Sequence, residues 1–284
     1  MDATQGLDAS VFPALAELEE RGARRPTCLV LAGAGLGLLP ARLARAGRLP
    51  LSVLDTTPDA WREGLLHWGE LDGLPVWLLE DERTPGVASG DGPAWERTWP
   101  VWLAAGAGAV SMIACEGACA LDDTPLGTFA LARDHLDFGG ESPLVGLGES
   151  RLGPMFPDTS RLHDGALRRA ALDTAARLGL AAREVVVACT PAPALETPAE
   201  QAWYRSAGAQ VSVQGLGAWL AAAAHAGLGT LAVGLVVARA GEALDIARVV
   251  AAARELAPAL DDLLGDLAGR VGQLSLGDLE GEAR

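Results

Sequence analysis

Gly33-Ala34-Gly35-Leu36-Gly37 is the first stretch of this chain whose residue types and spacing point to chemistry. It follows the apolar run Cys28-Leu29-Val30-Leu31-Ala32 and precedes Leu38-Leu39-Pro40-Ala41-Arg42-Leu43. That order reads as strand, glycine corner and helix start. Such a corner lets backbone amides approach an anion closely, and the helix N-terminus adds partial positive charge. A second candidate is Glu196, which ends the Pro-rich segment 191–195 just before Thr197-Pro198. Thr197 is placed to cap a helix with Pro198 in its first turn. A carboxylate there is suited to accepting hydrogen bonds from a heterocycle or to sitting on the helix dipole. A third is Arg133-Asp134-His135, with opposite charges side by side at a strand end. It reads more naturally as a loop-fixing ion pair than as a catalytic group.

Other chemistries are poorly served. The dinucleotide fingerprint fails on either frame, because Leu38 and Pro40 stand where its last glycine belongs. There is no Gly-x-Ser-x-Gly elbow and no His-Glu-x-x-His. The histidines at 67, 135, 163 and 225 are scattered, and Cys115 and Cys119 lack Cys-x-x-Cys spacing. No metal site is expected.

The elements that must position these residues alternate. Strands are expected at 28–32, 50–55, 74–79, 109–114, 128–132, 184–189, 210–213 and 230–237. Helices are expected at 10–21, 38–46, 94–105, 162–178, 198–207, 216–226 and 243–270. This pattern predicts an α/β fold, one domain over 1–284 with a mixed central β-sheet flanked by helices. Residues 1–20 and 273–284 read as peripheral, the last of them frayed. The apolar stretch 218–237 has about the length of a membrane span, but Gly227, Gly229, Gly234 and His225 split it into a helix, a turn and a strand. Six tryptophans between 61 and 102 read as core or subunit-interface packing.

Half of the 284 residues are hydrophobic, and the formal charge is −15 without a basic cluster. That balance disfavours nucleic acid and anionic membranes as partners. Four cysteines, three of them in or beside apolar runs, and an N-terminus without a basic region and apolar core fit a cytoplasmic protein.

Several stretches taken together resemble a known family. Phe129-Ala-Leu-Ala-Arg133-Asp134-His135-Leu136, Ser142-Pro143-Leu144 and Arg151-Leu-Gly153-Pro-Met-Phe156-Pro157-Asp158 are similar to the middle of the trimeric purine nucleoside phosphorylases and their methylthioadenosine-cleaving relatives. The Gly33–Gly37 loop resembles that family's phosphate loop, and Leu195-Glu196-Thr197 its Phe-Glu-Thr purine loop. The likeness runs from about residue 20 to 270. It implies a purine nucleoside phosphorylase-like fold, a homotrimer with the Trp-rich stretch near its interface, and a purine nucleoside or related small molecule as ligand. It also implies phosphate as co-substrate without a further cofactor. The family reaction is attack of phosphate on the anomeric carbon, with the purine leaving as it gains negative charge.

Carried over residue by residue, the likeness is uneven. Gly33, Ala34 and Gly35 fall in the phosphate loop, with Ala34 replacing a serine. His67 falls at the family's loop histidine, and Glu70 stands where an arginine is expected beside it. Arg83 is the cation offered by the stretch 81–86. Ala114-Cys115-Glu116-Gly117-Ala118 replaces Asn-Ala-Ala-Gly-Gly. Gln214 and Gly215 take the places of the ribose-facing methionine and the serine after it, and Ala238 that of the Asn or Asp supporting the leaving purine. Glu196 is the one purine contact kept cleanly. Lost donors and added acids imply weak or absent phosphorolysis. The alternative is a non-catalytic relative that binds a ligand or serves as a structural subunit.

Overall fold

The computed structural model describes residues 3–33, 39–80, 92–140, 142–147, 150–242 and 246–281. Its strands are β1 (Cys28–Ala32), β2 (Ala44–Pro50), β3 (Leu65–Leu71), β4 (Leu74–Glu80), β5 (Ser111–Ala120), β6 (Phe129–Asp137), β7 (Ala182–Thr190), β8 (Val211–Gln214) and β9 (Gly229–Arg239). Its helices are α1 (Ala3–Glu20), α2 (Leu39–Arg42), α3 (Trp99–Ala107), α4 (Gly165–Leu178), α5 (Pro198–Ser206), α6 (Leu216–His225) and α7 (Ile246–Gly281). The strands form one mixed sheet in the order β2-β3-β4-β1-β5-β8-β7-β6-β9. An added β5–β9 pairing closes β5, β8, β7, β6 and β9 into a five-stranded ring. The expected α/β architecture is therefore present.

Burial on both faces explains the unbroken apolar strands. Leu29 and Leu31 of β1 enter the core layer under α1, α3 and α6, while Cys28, Val30 and Ala32 enter the layer under α4 and α7. The stretch 218–237 resolves into α6, a turn and β9, and no described helix is long and apolar enough to cross a membrane.

Several expectations need correction. The helix expected over 38–46 ends at Arg42, and residues from Ala44 belong to strand β2. Of the strand expected over 50–55 only Pro50 is extended, as the end of β2, and Leu51–Val53 form a short 3-10 turn, with Leu51 and Leu54 buried three residues apart. The N-terminal helix is not peripheral: Leu7, Val11, Ala14 and Leu18 are almost fully buried along one face of α1. At the other end, α7 runs on to Gly281 where a frayed tail was expected. The tryptophans at 61, 77, 95, 99 and 102 are at most 4% exposed, so their side chains pack in the core of one chain. The Trp77 indole N–H donates to the Arg24 carbonyl at 2.7 Å, and Trp61 meets Trp219 edge-on at 5.8 Å.

The Trp102 Nε1–H donates to His225 Nδ1 at 3.0 Å, which places His225 in the same core. Burial holds His225 below the ordinary histidine range, with Asp8 opposing the shift. A depressed native pKa leaves the folded state neutral while the unfolded state takes up a proton below about 6.5. His225 therefore withdraws stability as pH falls through that value. The stability advantage of wild type over His225→Gln is expected to shrink between pH 7 and pH 5, read by urea unfolding at each pH. An advantage constant over that range would refute the assignment.

Candidate active site

The ends of the parallel strands define the site. Gly33 continues β1, and its N–H donates to the Cys115 carbonyl of β5 at 2.8 Å. That amide is occupied in the sheet and is not offered to an anion. A side chain at 33 would collide with the Glu116 carboxylate, which lies directly against the glycine. Only glycine leaves room for that carboxylate. The corner's approach is thus filled by that carboxylate. Ala34 and Gly35, expected in the phosphate loop, and Arg83, its expected cation, lie outside the described residues.

His67 is not a loop residue. It sits in β3, in register with Arg48 of β2 and Leu78 of β4, and Leu78 pairs with Val30 of β1. Gly33 is three residues farther along β1, about 10 Å, and two strands across, again about 10 Å. An imidazole cannot span that gap. Burial, then Arg48, pushes His67 below its usual range, which further weakens it as an anion ligand. Glu70 is also displaced from the expected place. It pairs with Pro75 at the start of β4, the end of the sheet opposite Gly33, and its Oε1 accepts from Arg24 at 3.2 Å and Arg45 at 3.0 Å. It therefore cannot repel an anion at the corner. Ala114 and Cys115 are buried in opposite core layers, and burial, reinforced by Glu116, raises the Cys115 thiol pKa.

Four of the residues expected to contact purine or ribose, Leu195, Glu196, Gln214 and Gly215, lie around the end of β7. Glu196 accepts a hydrogen bond from Thr190 Oγ1 at 2.7 Å, where β7 ends. Gln214 pairs with Thr190 across β7–β8, and its Nε2 donates to the Ala194 carbonyl at 2.6 Å, which ties the loop 191–197 down. Gly215 follows with φ of 72°, a left-handed turn into α6 that glycine adopts without strain, and its N–H donates to the Thr190 carbonyl. Leu195 stands 41% exposed on the same loop. The loop ends in a capping box: Thr197 accepts from the Glu200 N–H, and Glu200 accepts from the Thr197 N–H at 2.7 Å.

Cys119, Ser212 and Thr190 complete this corner and were not singled out from sequence. Cys119 of β5 lies in register with Ser212 of β8 on one side and Ala238 of β9 on the other. A bulge in the β5–β9 pairing falls at this point. Burial, then Glu196 and more weakly Glu242, raises the Cys119 thiol to about 11, so it is a neutral group beside Glu196. Strand pairing sets Ala238, expected at the leaving-group position, opposite Cys119.

Arg133, Asp134 and His135 lie in β6, after whose bulge at Ala132/Asp134 His135 meets His163. Burial lowers both imidazoles, His163 to about 4 with His135 adding to the effect.

With this geometry in place, the chain's relatives are informative. Residues 36–268 match the family model described as "Phosphorylase superfamily". Purine nucleoside phosphorylase 1 of Geobacillus stearothermophilus is 29% identical over 233 residues, 80% of this chain and 84% of the relative. Purine nucleoside phosphorylase of Mycobacterium tuberculosis is 35% identical over 253 residues, 83% and 87% of the two chains. Among solved structures, a Schistosoma purine nucleoside phosphorylase in complex with hypoxanthine superposes with a TM-score of 0.84 at 21% identity, covering 95% of this chain and 98% of that one. A Schistosoma mansoni purine nucleoside phosphorylase in complex with adenosine gives 0.82 at 21% identity, covering 92% and 96%. At that identity the structural match speaks for the fold. Together with the family model and the closer relatives by sequence, it means that this chain belongs to the phosphorylase superfamily as a member of the purine nucleoside phosphorylase family.

Proposed function

We propose that this member retains a purine-binding pocket but has lost most of its capacity to hold phosphate, so that phosphorolysis of a purine nucleoside is weak or absent. The observation that carries this reading is the Glu116 carboxylate against Gly33. At the same corner the Gly33 amide is committed to Cys115, and His67 lies too far away to contribute. Losing one preorganised transition-state donor costs about 10²–10³ in rate. Losing phosphate ligands and the Ala238 support together predicts a deficit of at least about 10⁴. Base recognition fares better, because Glu196 is anchored by Thr190 in a loop held by Gln214.

A second reading, an active phosphorylase with an altered pocket, draws on the 29–35% identity to proteins named purine nucleoside phosphorylase. Calorimetry separates the two. The pocket reading expects hypoxanthine or guanine to bind, to lose at least about tenfold affinity in Glu196→Gln, and to be indifferent to added phosphate. Tight phosphate binding, or base binding that phosphate strengthens, favours the active reading.

A homotrimer in a reducing compartment accompanies this proposal. The four free, buried cysteines are in keeping with such a compartment. Val145 and Phe156, 72% and 87% exposed on the segments flanking β6 and α4, supply apolar surface for self-association. Phosphate serves as the co-substrate of any residual activity, and the reading calls for no further cofactor.

A further inference from the structure

We infer that Asp134, His135 and His163 form a binding site for one divalent transition-metal ion of the zinc class. The site links β6 to the segment entering α4. Ligand atoms of the three side chains all lie within 4.8 Å of one another. His135 Nδ1 and His163 Nε2 face each other at 3.0 Å, with the rings at 63°. Two imidazoles on a tetrahedral zinc at about 2.0–2.1 Å place their nitrogens about 3.3–3.4 Å apart. The present pair needs to open by only a few tenths of an ångström.

Rigid backbone holds both rings. His135 pairs with Val187 across β6–β7, just beyond the β6 bulge. Bulges re-aim side chains and recur beside functional sites. His163 is fixed from both sides: Leu162 accepts from the Thr230 N–H at 2.8 Å, and the Asp164 N–H donates to Thr230 at 2.9 Å. Asp164 Oδ1 then caps α4 by accepting from the Ala166 and Leu167 amides. The His135 N–H donates to Asp134 Oδ1 at 2.8 Å, which sets the carboxylate beside the pair.

The donor set selects the ion. Two imidazole nitrogens and one carboxylate suit zinc and its neighbours, whereas calcium and magnesium take oxygen ligands. His163 Nδ1 is buried without a hydrogen-bond partner among the described residues, so no acceptor fixes which nitrogen carries the proton. On metal binding, the proton between the rings moves to the far nitrogen of its own ring, and both facing nitrogens present lone pairs. Three protein ligands leave a fourth position for water or for a small anionic ligand.

The test titrates zinc chloride into the metal-free full chain by calorimetry, with melting followed in parallel. One ion per chain is expected, and at a hundredfold excess over Kd the Tm rises by about 5 °C. His163→Gln and His135→Gln each weaken binding at least about tenfold, while His67→Gln does not change it. Should the histidine variants misfold, the exposed Asp134→Asn and the ligand-field spectrum of cobalt(II) on wild type supply the result. A weakened Asp134→Asn and a tetrahedral cobalt spectrum support the site. No stoichiometric zinc, binding that survives both histidine variants, or an octahedral cobalt spectrum with unchanged Asp134→Asn binding overturns it.

Discussion

Replacing Glu116 by alanine is expected to raise the affinity for inorganic phosphate by about 10- to 100-fold. The carboxylate lies against Gly33, so an anion entering the corner meets a like charge at short range. Two unit charges about 4 Å apart interact by about 4 kcal/mol at an effective dielectric of 20. Glu116 is only half-buried, and salt screening reduces the repulsion to about 1.5–3 kcal/mol. Each 1.4 kcal/mol is a factor of ten in Kd. The gain is read by calorimetry at fixed ionic strength. Glu70→Ala is the control, since Glu70 is engaged by Arg24 and Arg45 at the far end of the sheet. Equal gains from both variants would show that net charge alone governs phosphate, and no gain from Glu116→Ala would remove the carboxylate from the account.

The second large effect concerns stability. Trp102→Ala is expected to cost about 4 kcal/mol and to lower Tm by about 7 °C. Trp102 is fully buried among Val11, Trp99 and the residues of α6 in one core layer, and its truncation leaves a large cavity. It also removes the donor to His225 Nδ1, in a region where His225 Nε2 already has no partner among the described residues. A subunit-interface role predicts something different: a concentration-dependent Tm and a loss of assembled mass. Light scattering with melting at two protein concentrations distinguishes them. A variant that melts at the wild-type temperature but dissociates would place Trp102 at an interface after all.

Much of this fold was legible in the sequence where one physical signal dominated. The run Cys28-Leu29-Val30-Leu31-Ala32 is buried on both faces, and its unbroken apolar character located β1 to the residue. Thr197 and Pro198 announced the start of α5 through capping chemistry. Glycines divided 218–237 into α6 and β9. β2 and β3 escaped because neither carries an apolar run. β2 is an edge strand with one buried residue, Leu49, and β3 interleaves His67, Gly69 and Glu70 among its apolar positions. The resemblance alone set His67 and Glu70 beside the phosphate, and with β3 unseen nothing opposed it; as strand residues one is mid-sheet and the other at the far end.

The site was half legible for a related reason. Local order in the chain singled out Glu196, because its loop and the helix cap after it are neighbours in sequence, whereas Gln214 and Gly215 came only from the resemblance. Cys119, Ser212 and Ala238 meet only through the pairing of β5 with β8 and β9, which no local pattern encodes. The His135–His163 pair is of the same kind, joining residues from β6 and the entry to α4.

The decisive measurement is release of free base from inosine, guanosine and methylthioadenosine in saturating phosphate, run beside the Geobacillus stearothermophilus relative under identical conditions. The account predicts kcat/KM at least about 10⁴-fold below that enzyme. Values within tenfold of it would contradict the loss of phosphate handling on which the account rests.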